Sequence, residues 1–408
     1  VTATLSTAQY LLKRRYDDGR FPKTQIQKFE CFDAMPKDEN WDGDDFASAF
    51  QLEGPQGVGA SFSLAQSAIS AGTYRRFLPT RIEYFGLCRV RGHAYRAAQK
   101  SSGSFVNLWV NEMEGCEEAI LKMLEIYMFG NGSASLGAAT FSTTTATLST
   151  IQQIVNFDLG GTYGGQSDGT LTATLRSGSI KVTGIDHGAG TLTAATNWTT
   201  TVVGLQNSDH LTRYADQAVA NTAVVPIGLT SWVVGGSSPG SLWGYNRNEA
   251  PLRTAGQNYN ATGVTYNDAV NNAEALLGNQ GYSMGRRLVT HPQMFADWKK
   301  TTDGKVIYQR GGGSGGLTVG TSDVGYDGIA GYVSVKTSPF ATYNGAYIGN
   351  WQNFRCASLG PAPHLARDDN QEVLRVANDD AIEARYRMFG NFLLKSPNEW
   401  IRITNFGA

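Results

Sequence analysis

No stretch of this 408-residue chain approaches the ~20 consecutive apolar residues that a bilayer-spanning helix needs. A charged-then-apolar export pattern is missing as well, so neither a membrane span nor secretion is expected. Charge of one sign is lacking: 34 basic residues stand against 35 acidic ones, a formal net charge of −1. That balance gives no overall electrostatic drive toward nucleic acid or a lipid surface. Cysteine is scarce. Cys31, Cys88, Cys116 and Cys356 show no metal-ligand or redox spacing and read as reduced, packed thiols of a protein made in a cytosol. Lysine is absent between Lys37 and Lys100. Charged residues make up only 17% of the chain, and no repeat of 20 to 50 residues is evident.

Recognisable chemistry is lacking too. Ser238 and Ser314 sit in G-x-S-x-G patterns, but neither has the preceding strand and following helix that pin a nucleophilic hydroxyl at a sharp turn. Gly311, Gly313 and Gly316 match G-x-G-x-x-G, yet Leu317-Thr318-Val319 continues as a strand where a pyrophosphate site needs a helix N-terminus. Asp38, Asn40, Asp42 and Gly43 reproduce half a calcium loop, with Ala49 where the bidentate glutamate belongs. A solvated acidic face is the better reading. His93, His187, His210, His291 and His364 are scattered and read as capping, packed or exposed groups. No Walker loop, zinc pattern or pair of catalytic carboxylates is present. The residues therefore point away from an enzyme, and no metal or cofactor is expected.

What the chain does have is a long helical signal over 104–130. Phe105, Leu108, Trp109, Cys116, Ile120, Met123, Leu124 and Tyr127 recur at three- and four-residue steps. Glu112, Glu114, Glu117, Glu118, Lys122 and Glu125 fill the charged stripe, Ser104 suits the N-cap, and Gly130-Asn131-Gly132 supplies the stop. Before it, residues 1–50 read as an arm with a short helix at 6–16 and an acidic run that includes Asp42, Asp44 and Asp45. The chain begins at Val1, and N-terminal trimming is the expectation. Residues 51–100 read as a long hairpin: 61–64 alternates, 70–72 forms the tip, and 81–91 returns. On the return Ile82, Tyr84, Cys88 and Val90 share one face, and Arg81, Glu83, Phe85, Leu87, Arg89 and Arg91 the other. Such a ribbon is marginal alone and calls for a partner surface.

After the helix, 133–152 is nearly all Ser, Thr, Ala and Gly, and 154–214 reads as a small all-β module with strands at 171–175, 179–185 and 191–193. From 221 the pattern turns α/β. A helix over 265–277 starts with Asp268 in its first turn, a buried strand covers 288–290, and His291-Pro292 opens a helix through Trp298. The run 311–316 reads as a flexible loop. Strands return at 331–335, 346–348, 373–376 and 381–393. Basic groups at Arg75, Arg76, Arg81, Arg89 and Arg91 suit acidic groups on a neighbouring copy better than nucleic acid, given the balanced charge.

This order of arm, hairpin, long helix, mixed domain and returning strands resembles the major capsid proteins of tailed bacteriophages, the Hong Kong 97-type fold. Gly57-Val58-Gly59-Ala60-Ser61-Phe62 with Ala65-Gln66 resembles its extended loop, and Arg76-Phe77 through Tyr84 its returning strand. The segment from Phe105 to Gly132 resembles its spine helix. Thr290-His291-Pro292, the stretch from Ser358 to Pro363, and Glu383-Ala384-Arg385 resemble later segments.

The resemblance implies an α+β fold with an N-terminal arm at 1–50, an extended loop at 51–100 and a peripheral domain at 101–153 joined by 335–408. It implies a β-rich insertion at 154–215 and an axial domain at 216–334. It further implies a non-enzymatic shell subunit, made in the bacterial cytoplasm and ending in the virion. Its partners would be copies of itself in pentamers and hexamers, scaffold, portal and decoration proteins, and packaged double-stranded DNA held non-specifically. Subunit contacts would fall at Asp42, Asp44, Asp45, Phe62, Arg75, Arg76, Phe77, Arg81, Tyr84 and Arg89. The spine-helix core would be Phe105, Leu108, Trp109, Ile120, Met123, Leu124 and Tyr127. Some members join subunits by an isopeptide bond from a loop lysine; here no lysine stands in the loop, so none is expected. An encapsulin-like compartment holding an enzyme cargo is the alternative, and a β-rich hydrolase a third reading.

Overall fold

The computed structural model describes residues 29–43, 46–94, 108–217, 222–279, 286–302, 325–328, 331–367, 373–376 and 379–407. The expectations for the arm helix at 6–16, for Asp44, Asp45, Ser104, Phe105 and Ser314, and for the loop 311–316 lie outside these residues. The chain divides into two units. One takes the described residues up to Asp42, Arg81–Glu125 and Cys356–Asn391; the other takes Gly43–Thr80, Ile126–Arg355 and Phe392–Ala408.

In the first unit the central strand is Ala381–Leu394. Ile82–Arg91 runs antiparallel to it, with Arg91 opposite Ala381 and Ile82 opposite Gly390. Its alternation is as expected: Ile82, Tyr84, Cys88 and Val90 are buried, and Phe85, Leu87, Arg89 and Arg91 face outward. Its partner is not the expected one, because this strand is no part of the hairpin. The core here joins Cys88, Val90, Ala94, Trp109 and Ala384, with Met113, Cys116 and Ile382 packed on them.

The long helix spans Leu108–Met128. Trp109, Ile120, Met123, Leu124 and Tyr127 are buried, as the apolar stripe requires. Glu125 departs from its expected place on the charged stripe. It is buried, and its Oε2 accepts the Phe32 N–H at 3.4 Å, because the last turn is enclosed all round. After that turn Gly130 N–H donates to Tyr127 O, and Gly132 takes the positive φ (86°) that ends the helical path.

In the second unit the hairpin pairs Ser48–Glu53 with Thr73–Phe77, Ser48 opposite Phe77. Residues 61–64 are not a strand. Ser61 caps a short helix, Phe62–Ser67, its Oγ accepting the Leu64 N–H at 3.4 Å. Consequently 70–72 is not the tip, and the return begins at Thr73.

The β-rich module begins earlier than 154. Ser135–Ser142 and Thr145–Leu148 join Thr191–Ala194, Ile180–Asp186, Thr162–Gln166 and His210–Arg213 in a closed barrel. The small residues assigned with the long helix through 153 are therefore barrel strands. Residues 171–175 do not form one; Leu175 only bridges to Gln166. Trp198, Leu192, Val182 and Ala146 fill the interior.

A six-stranded mixed sheet completes this unit, in the order Gln257–Asn260, Ile401–Thr404, Gly345–Asn350, Arg286–Thr290, Gly331–Thr337 and Gly325–Gly328. The helices Tyr266–Gly278 and Pro292–Thr302 contribute Ala269, Val270, Ala273, Leu277, Met294 and Trp298 to a core shared with Leu288, Ile348, Ile401 and Phe406. Thr265 caps the first helix, and His291 Nδ1 accepts the Gln293 N–H in the first turn of the second. Among the described residues no helix is long and apolar enough to cross a membrane.

Candidate assembly surface

The far end of the hairpin carries no charged residue from 54 to 72. Four of its apolar side chains stand in solvent: Val58 at 90% exposure, Phe62 at 83%, Ile69 at 70% and Leu64 at 58%. Gly59 allows this end to fold tightly, since a Cβ there would lie 2.6 Å from the Ala65 nitrogen within the short helix. Burying each such side chain is worth roughly 1.5–3 kcal/mol, which this chain leaves unrealised. A contiguous exposed apolar group on an extended ribbon marks an interaction surface.

The root of the same hairpin is held firmly. Phe77 is buried, its ring stacked on Phe50 at 4.9 Å and edge-on to Trp232 at 5.1 Å and Tyr245 at 5.5 Å. Leu78 N–H donates to Trp243 O at 3.2 Å. Arg75 grips Glu249 with both Nε (3.2 Å) and Nη2 (2.6 Å), and Arg253 reaches Glu53 at 2.8 Å. The bond from Arg75 holds the Glu249 carboxyl below its usual range. A fixed root thus presents an unsatisfied tip.

A second outward face lies in the first unit, on strand Ile82–Arg91. Phe85 and Leu87 are exposed beside a charged network in which Arg89 (2.6 Å) and Arg385 (2.7 Å) clamp the buried carboxylate of Glu383. Burial works against that carboxylate's charge, but the two arginines outweigh it and keep its pKa low. Arg387 stacks 5.6 Å from the Phe389 ring and donates to His364 Nε2 at 3.3 Å.

Of the residues expected at subunit contacts, Phe62, Arg76 and Asp42 are exposed. Arg75 and Arg89 are exposed but spend their guanidinium groups on Glu249 and Glu383 of their own chain. Phe77 and Tyr84 must be corrected: both are buried, one as the hairpin's anchor and the other on the inward face of its strand. Arg81 is half-buried at that strand's start. Leu108 opens the long helix. Sequence reasoning missed Val58, Leu64 and Ile69 as members of the exposed apolar group. The charge-free run around them was the available signal.

Groups that could do chemistry are few. Ser135 Oγ and His210 Nδ1 share a 2.6 Å hydrogen bond, and Ser135 borders a pocket of about 100 Å³ with His291 and Asn156. Burial lowers the His210 pKa, while the carboxylates of Asp168 and Asp209 pull the other way. Asp168, however, spends its oxygens on Thr170 N (2.8 Å), Thr170 Oγ1 (2.5 Å) and Ser167 Oγ (3.1 Å), so it closes a turn and does not orient the imidazole. Ser135 also opens a strand, where a nucleophile elbow needs a strand-to-helix turn. Ser238 lies in a loop followed by the strand Ser241–Leu242. In the half calcium loop, Asp38 Oδ1 accepts from Asn40 at 3.3–3.4 Å. Among the described residues no three His, Cys, Asp or Glu side chains gather as metal ligands would.

No protein-family model matches this chain, and no curated protein sequence does. Solved structures do. The chain is similar to a chain of the cyanophage A-1(L) capsid asymmetric unit, at 10% identity and a TM-score of 0.56, over 100% of both chains. It is similar to the capsid of an empty GTA particle, at 9% identity and a TM-score of 0.52, over 99% of each chain. The capsid of a native GTA particle matches at 8% identity and a TM-score of 0.50, over 99% of this chain and 98% of that one. At these identities the shared property is the fold, a mixed α+β architecture reproduced from end to end.

Proposed function

We propose that many copies of this chain close into the icosahedral shell of a tailed-bacteriophage head, with the Hong Kong 97-type fold, around packaged double-stranded DNA. The observation that carries this reading is the charge-free hairpin end, whose apolar side chains find no cover among the described residues. The full-length likeness to capsid chains supports it. In this reading the hairpin reaches onto a neighbouring copy and buries Val58, Phe62, Leu64 and Ile69 there. The arm at 1–50 does likewise, and its acidic run meets basic groups such as Arg76. The long helix is the spine of the peripheral domain, the mixed sheet with its two helices is the axial domain at the five- and sixfold centres, and the barrel is an elaboration of that domain. Scaffold, portal and decoration proteins are its further partners, the chain performs no catalysis, and its destination is the virion.

Cohesion then comes from buried area. Contacts near the ~1,600 Å² typical of stable interfaces, repeated around each subunit, are sufficient for it. With no lysine between Lys37 and Lys100, no covalent link forms through the hairpin. Denaturing electrophoresis of assembled particles should show a single monomer band, and a ladder of multimers would refute that point. Electron microscopy of the purified protein tests the main proposal. Closed shells are the expected result, and a monodisperse monomer at high concentration would end it. Shells that hold an enzyme cargo, without a portal or DNA, would replace the phage head by an encapsulin-like compartment.

A further inference from the structure

The fold brings together two thiols that the sequence keeps apart. Cys88 is on the buried face of strand Ile82–Arg91, and Cys116 is on the long helix; both belong to one apolar cluster. Gly86, two residues before Cys88 on the same face, makes the approach possible. A Cβ at Gly86 would stand 3.1 Å from Cys116 Sγ, so the missing side chain is the space that the Cys116 thiol occupies. This places the Cys116 thiol against the strand two residues from Cys88, inside the cluster that both side chains share. Cys88 is buried and Cys116 only half so; Cys31 and Cys356 are buried as well and lie outside this cluster.

We propose that Cys88 and Cys116 are an oxidisable pair, reduced when the chain is made and closed to a disulfide by a low-molecular-weight disulfide such as oxidised glutathione, tying the strand to the long helix. Cys116, the less buried residue of the two, attacks one sulfur of oxidised glutathione as its thiolate and expels a glutathione thiolate. Cys88 then attacks the Cys116 sulfur of the mixed disulfide and expels the second. Two protein thiols become one disulfide, one oxidised glutathione becomes two reduced glutathiones, and the two protein protons end on them. Hydrogen bonding from Cys116 eases ionisation of Cys88 in the reduced pair. The neighbouring Cys88 and burial disfavour the Cys116 thiolate, and the carboxylates of Glu112 and Glu117 add to this. The first step is therefore slow, suited to a long stay in an oxidising medium and not to rapid signalling.

This inference does not depend on the shell reading. The full chain is incubated with oxidised glutathione, quenched with an alkylating reagent, and mapped as non-reduced peptides. A Cys88–Cys116 linked peptide is expected, lost on treatment with dithiothreitol, with Cys31 and Cys356 still free once the chain is unfolded. The linked form should unfold at a higher urea concentration than the reduced one. In Cys88→Ser the expected product is a glutathione adduct trapped on Cys116. Four free thiols, a lasting adduct on Cys116 in the native sequence, or a link to Cys31 or Cys356 would each overturn the proposal, and none of these readings needs the variant to fold.

Discussion

The barrel and the hairpin are both β excursions of the second unit, and they treat their apolar residues in opposite ways. The barrel's six strands close on themselves, so no edge is left open, and Trp198, Leu192, Val182 and Ala146 are wholly enclosed. The hairpin is a separate two-stranded sheet whose strands pair with no third strand among the described residues, and its end turns Val58 and Phe62 into water. A structure that satisfies itself needs no partner, whereas a two-stranded ribbon with an apolar end does. Under the proposed function, the difference assigns stability to one excursion and assembly to the other.

The largest effect is expected where the hairpin is spoiled at its tip. Val58→Glu combined with Phe62→Glu should abolish shells and leave monomers or small rings by sedimentation and microscopy. A buried unpaired carboxylate is costly, and the defect recurs at every copy. The monomer's own thermal unfolding should barely move, because these side chains are exposed within it. Intact shells from this variant would break the comparison. Trp198→Ala is the complementary test. Trp198 is fully buried and its Nε1 donates to Thr144 O at 3.2 Å, so its loss should cost the barrel about 3–5 kcal/mol in urea unfolding. Shells should still form wherever the barrel stays folded. If assembly fails there, the barrel is itself an assembly element.

Features set by neighbours in sequence were legible; those set by distant chain were not. The alternation of Ile82–Arg91 and the caps at Thr265 and His291-Pro292 are local, and they stand as read. The strand's partner is not local: Arg89 meets Glu383 across 294 residues, and nothing in the spacing points there. Glu125 fits a charged stripe by period alone, and only the enclosure of the last turn reverses it. Of the β-branched and aromatic groups that announce a strand, residues 135–142 carry only Thr140 and Phe141, both at the far end, so the first barrel strand passed as a linker. Phe62 and Leu64 alternate over too few residues to tell strand from helix, and the Ser61 cap decides it. For the candidate surface, the missing charge was visible in the sequence, but the fixed root behind it was not.

The smallest expected effect concerns that root, and it sharpens the contrast between a held base and an open tip. Arg75 keeps the folded-state pKa of Glu249 below its ordinary 4.5. A carboxylate with a depressed folded pKa contributes stability that is fully present above the unfolded value and is lost as pH falls through the folded one. Loosening should therefore begin only as pH drops below about 4.5 and should stay local, since the side chains of Arg75 and Glu249 are 41% and 40% exposed and salt screens such pairs. Protection against hydrogen exchange at Ser48–Glu53 and Thr73–Phe77, corrected for the intrinsic rate, should fall over that window, and to a lesser degree in added salt at neutral pH. Glu249→Gln should raise exchange at neutral pH and flatten its acid dependence, while the stacked rings of Phe50, Phe77 and Tyr245 keep the hairpin attached. An unchanged acid response in that variant would shift the credit for the root from the ion pair to those rings alone.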